Sequence, residues 1–347
     1  MRRDSVSVSS ARVDVALDLP RIRQLSVGMR AYAEALAERL PRLAPDLAFA
    51  ILPRTSALDL AEQIAVPRAL RRVRPRLVHF LSVYAPLLGP RPYVITIHDL
   101  IHLRFPEFFK RSVGPYYATV VRAVCAGAAR VITDDERTIE DLGRFLGVPA
   151  RKVAVVPLGV DDTFLDDAVP WAAPKPYFFY AGNHRAHKDL ATLFAAWAHL
   201  DPALDVDLVL TGHDDVFNGA RRPERARGTL RFVGDVDPGR LASLYAGAVA
   251  LVHPALCEGF GLPMAEATAV GAAVIACDDA VPSVLRPYAE VFPARDVGAL
   301  TELMTRAIAA PKPRGDGRRY ARSLTWDRCA LATAEVYRAV LREHRPR

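Results

Sequence analysis

The stretch Cys257-Glu258-Gly259-Phe260-Gly261-Leu262-Pro263-Met264-Ala265-Glu266-Ala267 decides the fold class of this chain. It follows an apolar run, Ala250–His253, that predicts a strand, and it contains Pro263 where a helix should begin. Proline suits the first turn of a helix, because the N–H group that it lacks would have no partner there. Two glycines let backbone N–H groups approach an anion at the positive end of this helix. The stretch therefore predicts a strand–loop–helix unit with an anionic ligand at the helix start.

Two carboxylates frame this helix start. Glu258 lies in the loop and Glu266 lies in the first turns of the helix, eight positions later. Carboxylates bind paired sugar hydroxyls well, so these side chains indicate a polyhydroxylated ligand. For Glu266 a structural explanation stays open, since the helix dipole stabilises an acidic residue there by about 0.3–1 kcal/mol. Stability explains Glu258 less well, because this residue precedes the helix.

A second strand–helix junction, Tyr180–Leu190, is rich in cations. His184, Arg185, His187 and Lys188 lie at or before the predicted helix start, where the helix dipole disfavours positive charge. A phosphate group between these side chains would explain the cluster. A solvated basic loop is the alternative.

In the first half of the chain, Gly28 and His98 stand out. Gly28 lies in the turn Ser26–Arg30 before an amphipathic helix, which makes this turn a candidate anion site. His98 follows the predicted strand Tyr93–Ile97, at the edge where parallel sheets bind ligands, although single histidines are also often structural. The pattern G-x-G-x-x-G occurs nowhere in the chain, which argues against a nicotinamide dinucleotide site.

The charge of the chain indicates a polyanionic partner without identifying it. The net charge is +7, and arginines cluster at Pro67–Arg76 and Arg221–Arg227. Neither cluster is interleaved with stacking aromatic residues, and no helix-turn-helix or zinc-finger spacing appears, so we expect no nucleic acid. The segment from Leu103 to Tyr117 mixes aromatic and basic residues and suits either a membrane or acceptor face or a packed core.

The chain contains neither a long apolar span nor an apolar leader after Met1, so we expect a cytoplasmic protein. The four cysteines show no C-x-x-C spacing, which predicts buried free thiols rather than a zinc site or disulfides. They are Cys125, Cys257, Cys277 and Cys329.

Short apolar runs alternate with helical patterns twice along the 347 residues, on either side of the proline-rich connector Pro157–Pro176. This alternation predicts two α/β domains with parallel sheets. Predicted strands are Arg12–Leu17, Leu47–Leu52, Leu77–Phe80, Tyr93–Ile97, Ala129–Thr133, Val153–Val156, Tyr177–Ala181, Val206–Thr211, Leu230–Val233, Ala250–His253 and Ala273–Ala276. Predicted helices are Val27–Leu40, Asp135–Phe145, Lys188–Leu200, Pro238–Ala246, Leu262–Val270, Arg295–Ala309 and Asp327–Glu343. Pro311–Gly317 is predicted to be a loop.

At these residues the chain resembles the retaining GT-B glycosyltransferases of family GT4, also called group 1, and specifically the bacterial mannosyltransferase-like branch. The Glu-x7-Glu element from Glu258 to Glu266, with its embedded Gly-Phe-Gly-Leu-Pro, is the most specific match. Supporting matches are the turn at Gly28, Thr96–Leu100 with Phe105–Phe109, Val155–Asp161, Arg231–Gly234, Leu241–Ala246 and Leu324–Trp326.

The resemblance implies an α/β fold of the GT-B type, with two facing Rossmann-like domains, a cleft between them and a C-terminal helix that crosses back to the first domain. The expected domains are an acceptor-side domain over residues 1–165, a nucleotide-sugar-binding domain over residues 166–323 and the returning helix over residues 324–347.

The resemblance also implies roles for individual residues. The implied catalytic residues are His98 near the reacting carbon, Glu258 on the transferred sugar, and Lys188 with Arg185 on the diphosphate. The implied donor-binding residues are Gly28, Gly182, Asn183, Phe260, Gly261, Leu262 and Glu266, with Glu266 on the ribose hydroxyls.

The chain departs from the family pattern in two places. The family often has arginine where Asn183 or His187 stands, so Arg185 would have to replace it. The usual Val-Ser-Glu after the strand at Val131–Thr133 is replaced by Asp134–Glu136, which predicts a different acceptor specificity.

The implied reaction is transfer of a hexose, with mannose favoured, from a nucleoside diphosphate sugar to a saccharide or lipid-linked saccharide, with retention. GDP-mannose is the favoured donor, and a UDP-hexose or another GDP-hexose is the next choice. We expect no obligatory metal or cofactor, a role in cell-surface polysaccharide or glycolipid synthesis, and contact with an anionic membrane surface, such as the inner face of the plasma membrane. The alternatives are an epimerase or phosphorylase of the same fold, and a basic membrane- or nucleic-acid-binding protein without catalysis.

Overall fold

The structure, a computed structural model, describes residues 12–19, 26–53, 62–214, 228–309 and 315–345. The arginine cluster Arg221–Arg227 lies outside the described residues. Contacts divide the chain into two compact units, which the alternation of the sequence predicted. Among the described helices, none is both long enough and apolar enough to cross a lipid bilayer.

The first unit contains the described residues of Met1–Leu103, Arg111–Pro157 and Trp326–Arg347. Its six strands form one parallel sheet in the order β2-β1-β3-β4-β5-β6. The strands are β1 (Val15–Leu19), β2 (Phe49–Pro53), β3 (Leu77–Phe80), β4 (Tyr93–Thr96), β5 (Arg130–Thr133) and β6 (Val153–Val155). The α-helices of this half are α1 (Val27–Leu43), α2 (Glu62–Val73), α3 (Ile101–Arg104), α4 (Val113–Tyr116), α5 (Arg122–Gly127) and α6 (Arg137–Leu146), with a π-helical turn (Tyr117–Val121) between α4 and α5.

The second unit contains the described residues of Leu158–Thr325 together with Arg104–Lys110. Its six strands form a second parallel sheet in the order β12-β11-β10-β7-β8-β9. The strands are β7 (Tyr177–Tyr180), β8 (Asp207–Leu210), β9 (Leu230–Phe232), β10 (Ala250–His253), β11 (Val274–Cys277) and β12 (Glu290–Phe292). The helices are α7 (Leu190–His199), α8 (Pro238–Gly247), α9 (Leu262–Val270), α10 (Val297–Ala309) and α11 (Gly315–Ala321).

The central strands are buried on both faces because helices cover both sides of each sheet. Every residue of β7, β8, β10 and β11 is buried. In the second unit, Phe194 and Trp197 of α7 pack with these strands into one core, and the Trp197 indole donates to the Val206 carbonyl at 3.1 Å. All four cysteines are free and buried, as the sequence predicted.

The last helix, α12 (Trp326–Glu343), packs within the first unit, as the resemblance predicted. It lies against α1, and its buried Tyr337 hydroxyl is 2.5 Å from Nδ1 of His79 on β3. Nε2 of His79 lies 2.8 Å from the Thr96 hydroxyl on β4. Burial lowers the pKa of His79 to about 3, so the ring is neutral and bonds the helix to the sheet.

The boundaries between the two units differ from the expected domain boundaries. Residues 158–165 lie in the second unit, because the Val160 N–H donates to the Leu324 carbonyl at 2.8 Å and Phe164 packs against Tyr245. The last helix begins at Trp326, and the first unit resumes there.

The strand β12 and the helices α2, α3, α4 and α5 were not predicted, and one loop was predicted differently. The short edge strand β12 and the proline-containing helix α2 give weak sequence signals. The loop expected over Pro311–Gly317 is wrong at its end, because α11 begins at Gly315 and packs against α9.

The order of the second sheet reverses between β7 and β10, which are neighbours although they are far apart in sequence. Ligands of open parallel sheets bind at the carboxyl ends of strands at such a reversal. The loops that follow β7 and β10 are the two junctions that the sequence singled out, so the topology brings them together.

Candidate functional site

Glu258, in the loop after β10, lies between two nitrogen groups. Its Oε1 accepts a short hydrogen bond from Lys188 Nζ and lies 2.6 Å from His253 Nε2. His253 is fully buried at the end of β10, and its Nδ1 has no hydrogen-bond partner. The Lys188 and Glu258 side chains are 10% and 15% exposed, so both remain open to a small ligand.

The charge of Glu258 follows from these neighbours. Burial of the carboxyl opposes its ionisation, but the Lys188 ammonium and the His253 hydrogen bond outweigh burial and hold the pKa of Glu258 below its ordinary value. The carboxylate therefore stays ionised throughout the neutral pH range. Both nitrogen groups approach the same oxygen, which leaves Oε2 as the atom that can accept from a ligand hydroxyl.

The backbone fixes the position of Lys188. This residue ends a 3-10 turn, Ala186–Lys188, and Asp189 in the left-handed conformation (φ 48°) separates the turn from α7. The sequence had predicted that α7 begins at Lys188, whereas it begins at Leu190. The Leu256 N–H donates to the His187 carbonyl at 2.9 Å, so the loops after β7 and β10 are bonded directly to each other.

Glu266 lies in a different environment, inside α9. The buried Tyr245 hydroxyl of α8 donates to its Oε2 at 3.0 Å. Burial of the carboxyl raises the pKa of Glu266 to about 7, and the nearby Asp161 carboxylate adds to the rise, while the Tyr245 hydrogen bond opposes it. Among the described residues no cation pairs with Glu266, and the Tyr245 hydroxyl is the hydrogen-bond donor that the structure shows for its carboxyl.

The start of α9 offers free backbone donors. Gly261 adopts the left-handed conformation (φ 71°) before Leu262, and its carbonyl accepts from the Met264 N–H at 2.9 Å. Within the described part of the chain, the N–H groups of Phe260, Gly261 and Leu262 donate to no protein acceptor. Unbonded N–H groups at a helix N-terminus suit an anion such as a phosphate.

The four cations of the loop after β7 do not form one cluster. His184 is buried and its Nε2 lies 2.8 Å from the Thr211 carbonyl, and the buried His187 ring stacks on Phe109 at 6.1 Å. Packing therefore accounts for the rings of both histidines, and their contact with a phosphate stays a prediction. Lys188 and the exposed Arg185 are the cations of this loop that remain for an anion.

Gly182 and Asn183 shape the same loop. Gly182 has a φ of 149°, and its N–H donates to the Thr211 hydroxyl at 3.0 Å. A Cβ atom at Gly182 would lie 2.9 Å from the Tyr180 hydroxyl, so a larger residue does not fit. The Asn183 side chain accepts a hydrogen bond from the Arg185 backbone N–H at 3.2 Å. It therefore stabilises the conformation of the loop, and it does not supply the positive charge of the arginine that the family often has at this position.

In the first unit, His98 follows β4 and Asp134 follows β5. His98 Nδ1 lies 2.7 Å from the Asp134 carboxylate, and the edge of the Tyr32 ring system meets the imidazole at a centroid distance of 4.9 Å. His98 Nε2 and the second Asp134 oxygen are buried without a hydrogen-bond partner. Gly28 lies in the first turn of α1, where Ser26 caps the helix by accepting from the Met29 N–H.

The segment Arg104–Lys110 belongs to the second unit although its neighbours in sequence lie in the first. Phe105 and Phe108 stack at 6.0 Å, and an Arg104 guanidinium nitrogen lies 3.7 Å from the Cys257 sulfur. The sequence allowed either a binding face or a packed core for the aromatic residues of this segment. Packing accounts for some of them.

Sequence reasoning missed His253, Tyr245 and the contact that Asp134 makes. His253 ends a buried strand, so the rule that singled out His98 would also have found it. Tyr245 and Asp134 carried no comparable signal, because their roles depend on which elements lie side by side.

Two family models match successive parts of the chain. The model described as Glycosyltransferase Family 4 matches residues 24–164, and the model described as Glycosyl transferases group 1 matches residues 161–324. The O-antigen chain mannosyltransferase B of Escherichia coli is 24% identical over 313 residues, which cover 83% of this chain and 82% of that protein. The O-antigen chain mannosyltransferase RfbU of Salmonella typhimurium is 24% identical over 196 residues, which cover 56% of this chain and 53% of that protein.

The fold also has close counterparts among solved structures. Sucrose-phosphate synthase from Thermosynechococcus elongatus aligns with a TM-score of 0.71 at 21% identity, over 96% of this chain and all of that one. At this identity the likeness concerns the fold alone. Together with the two family models, which follow one another over residues 24–324, these findings show that the chain belongs to the family 4, group 1 glycosyltransferases of the GT-B fold.

Proposed function

We propose that this glycosyltransferase moves a hexose, with mannose favoured, from a nucleoside diphosphate sugar to a saccharide or lipid-linked saccharide, with retention of the anomeric configuration. The observation that carries the proposal is the group of Lys188, Glu258, Glu266 and the free N–H groups of residues 260–262 at one edge of the second sheet.

Each part of this group suits one part of the donor. The Glu266 carboxyl has one hydrogen-bond donor, the Tyr245 hydroxyl, and the two hydroxyls of a ribose would supply further ones. Glu258 keeps one oxygen unbonded, which would accept a hydroxyl of the transferred sugar. Lys188, Arg185 and the start of α9 would stabilise the diphosphate, with Gly182 leaving room for it.

The chemistry then needs little more than charge stabilisation. The bond between the anomeric carbon and the diphosphate oxygen breaks, and the acceptor hydroxyl oxygen forms its bond on the same face. The acceptor proton passes to the departing phosphate oxygen, and a nucleoside diphosphate leaves. Preorganised positive charge from Lys188, Arg185 and the helix N-terminus favours this departure, because negative charge develops on the leaving oxygen. His98 would contact the transferred sugar, and Gly28 would approach the diphosphate.

GDP-mannose is the proposed donor. The two bacterial relatives described above are named mannosyltransferases, which supports mannose over other hexoses. UDP-hexoses and other GDP-hexoses are the alternative donors that the test includes.

We further propose that the first unit meets a lipid-linked acceptor at an anionic membrane surface, on the cytoplasmic side. Helix α2 exposes Arg68, Arg71 and Arg72, and the exposed Leu87 and Leu88 follow on a loop that is bonded to the start of α2. Basic side chains beside exposed apolar ones suit attachment to anionic lipid, which added salt would weaken.

The donor site is tested by thermal unfolding with GDP, UDP, ADP and TDP, for the natural chain and for Glu266→Ala. A nucleotide at about 100 times its dissociation constant adds about 2.7 kcal/mol of stability. We expect GDP, and none of the other three nucleotides, to raise the midpoint temperature of unfolding of the natural chain. GDP should not raise the midpoint temperature of the folded variant. A natural chain that responds to none of the four would contradict the donor site.

Transfer itself is tested with GDP-mannose and UDP-hexoses on saccharide and lipid-linked acceptors, and the anomeric configuration of the product is read by NMR. An α-linked product from an α-linked donor supports retention. Release of free sugar phosphate or an epimerised nucleotide sugar, without a glycosidic product, would point instead to the phosphorylase or epimerase reactions.

A further inference from the structure

A fully buried histidine lies beside the candidate donor site, at the end of β10. The side chain of His253 has no exposed surface, and its Nε2 lies 2.6 Å from Glu258 Oε1. Among the described residues, His253 Nδ1 has no hydrogen-bond partner. A buried polar atom without a partner is costly, and an apolar residue would fill this place without that cost. Packing alone therefore does not explain a histidine here, and its bond to Glu258 is the feature that does.

We propose that His253 is a positioning residue for sugar transfer, which keeps Glu258 Oε1 bonded and Oε2 directed at the transferred sugar while a diphosphate draws on Lys188. This role rests on the proposed function, which assigns Glu258 and Lys188 to two parts of one donor. All three residues lie in the second unit, so the role needs no contact with the first unit.

The hydrogen bonds show which nitrogen of His253 carries the proton. Burial opposes the ionisation of Glu258, but the Lys188 ammonium and the His253 hydrogen bond outweigh burial and hold the pKa of Glu258 below its ordinary value. An ionised carboxylate can only accept, so His253 Nε2 donates to it. A second proton on Nδ1 would be a buried N–H without an acceptor among the described residues. The ring is therefore the neutral tautomer with its proton on Nε2.

The neighbours of His253 hold its ring in place. The imidazole stacks on Tyr180 of β7, with the ring planes 13° apart and the centroids 6.1 Å apart. Tyr180 is itself fully buried, and its hydroxyl donates to the Asn183 carbonyl at 2.5 Å. Groups on strands are placed more precisely than groups on loops. The histidine at the end of β10 can therefore fix the carboxylate of Glu258, which lies on the loop that follows.

The two donors to Glu258 respond differently to an anion. Lys188 Nζ and His253 Nε2 both donate to Oε1. A diphosphate carries more negative charge than a carboxylate and competes for the Lys188 ammonium. The His253 ring is neutral, and it has no exposed surface through which it could reach a phosphate. Its bond to Oε1 therefore persists when the bond from Lys188 weakens, and Oε2 stays available to a sugar hydroxyl.

The test compares the binding of GDP-mannose with the binding of GDP by the full chain, measured by calorimetry. The two ligands differ by the sugar, so the ratio of their dissociation constants reports the contacts of the transferred sugar. A UDP-hexose and UDP replace them if UDP, rather than GDP, stabilises the natural chain. His253→Phe keeps a ring against Tyr180 and removes the donor, whereas the matched variant His253→Gln keeps an N–H donor.

We expect His253→Phe to weaken the binding of GDP-mannose relative to GDP by about ten- to a hundredfold, as for a lost hydrogen bond to a charged group. The affinity for GDP itself should change little, and His253→Gln should restore most of the loss. Folded His253→Phe with the natural ratio would overturn the role of His253. Equal losses for both ligands would also overturn it, since they indicate a purely structural role. A natural chain that binds no nucleotide would instead contradict the proposed function.

A second measurement uses the natural chain and does not depend on the folding of a variant. Nitrogen-15 shifts of labelled histidine distinguish the two neutral tautomers, and the His253 ring is assigned through its bonds to the backbone. We expect a proton on Nε2 alone, and we expect this N–H signal to remain when GDP-mannose binds. A bare Nε2 would overturn the proposal, and so would loss of the Nε2–H hydrogen bond in the complex with GDP-mannose.

Discussion

Replacement of Glu266 by glutamine should make the unliganded protein more stable at neutral and alkaline pH. The half-buried carboxyl lies beside the buried Tyr245, and its pKa rises from 4.5 to about 7 because the protein withholds water from it. Glutamine has nearly the same shape and can still accept from the Tyr245 hydroxyl. The substitution therefore removes the cost of ionising a buried group and leaves the packing of α9 in place.

The size of the effect follows from the pKa. A raised pKa means that the folded state holds the proton more tightly than the unfolded state, so the stability of the natural chain falls as pH rises from about 4.5 to about 7. A shift from 4.5 to about 7, at 1.36 kcal/mol per pKa unit, corresponds to about 3 kcal/mol. The glutamine variant lacks this decline, so its advantage should grow over that pH interval and then level off.

Urea unfolding at several pH values between 5 and 8.5 measures the difference. Hydrogen exchange of peptides that cover Leu262–Val270 should accompany it, because a chain with two units need not unfold in one step. The same variant should lose the stabilisation that a nucleotide gives to the natural chain, since the ionised Glu266 is the proposed acceptor for ribose hydroxyls. Stability curves that run parallel for both proteins from pH 5 to 8.5 would refute the reasoning.

Two further substitutions test other parts of the structure. Glu258→Gln should destabilise the protein at neutral pH by up to about 3–5 kcal/mol, because it leaves the Lys188 ammonium without its carboxylate. Since the pKa of Glu258 is lowered, this loss of stability should shrink as the pH falls below 4.5. Urea unfolding that shows no loss of stability at pH 7 would contradict the ion pair. Tyr337→Phe should cost about 1–3 kcal/mol in urea unfolding, since Nδ1 of the buried His79 loses its partner, and an unchanged midpoint would show that α12 does not depend on this bond.

The sequence by itself determined the fold class and the main binding segment, because these depend on local rules. The alternation of short apolar runs with helical patterns predicts parallel sheets whatever their neighbours are. Pro263 marks the start of α9, and Gly261 supplies the left-handed residue before it. Glu258 and Glu266 are likewise recognisable from their spacing around that helix start.

Only the tertiary structure decided which side chains act together, because the pairs come from different strand ends. Lys188 and Glu258 are 70 positions apart, and they meet because β7 and β10 are neighbours where the strand order reverses. His98 and Asp134 meet because β4 and β5 are adjacent. Glu266 meets a tyrosine of α8 because α8 and α9 pack against each other, and this half-buried position raises its pKa. Burial and strand order set the charges of the candidate site, and neither is encoded at the positions that carry those charges.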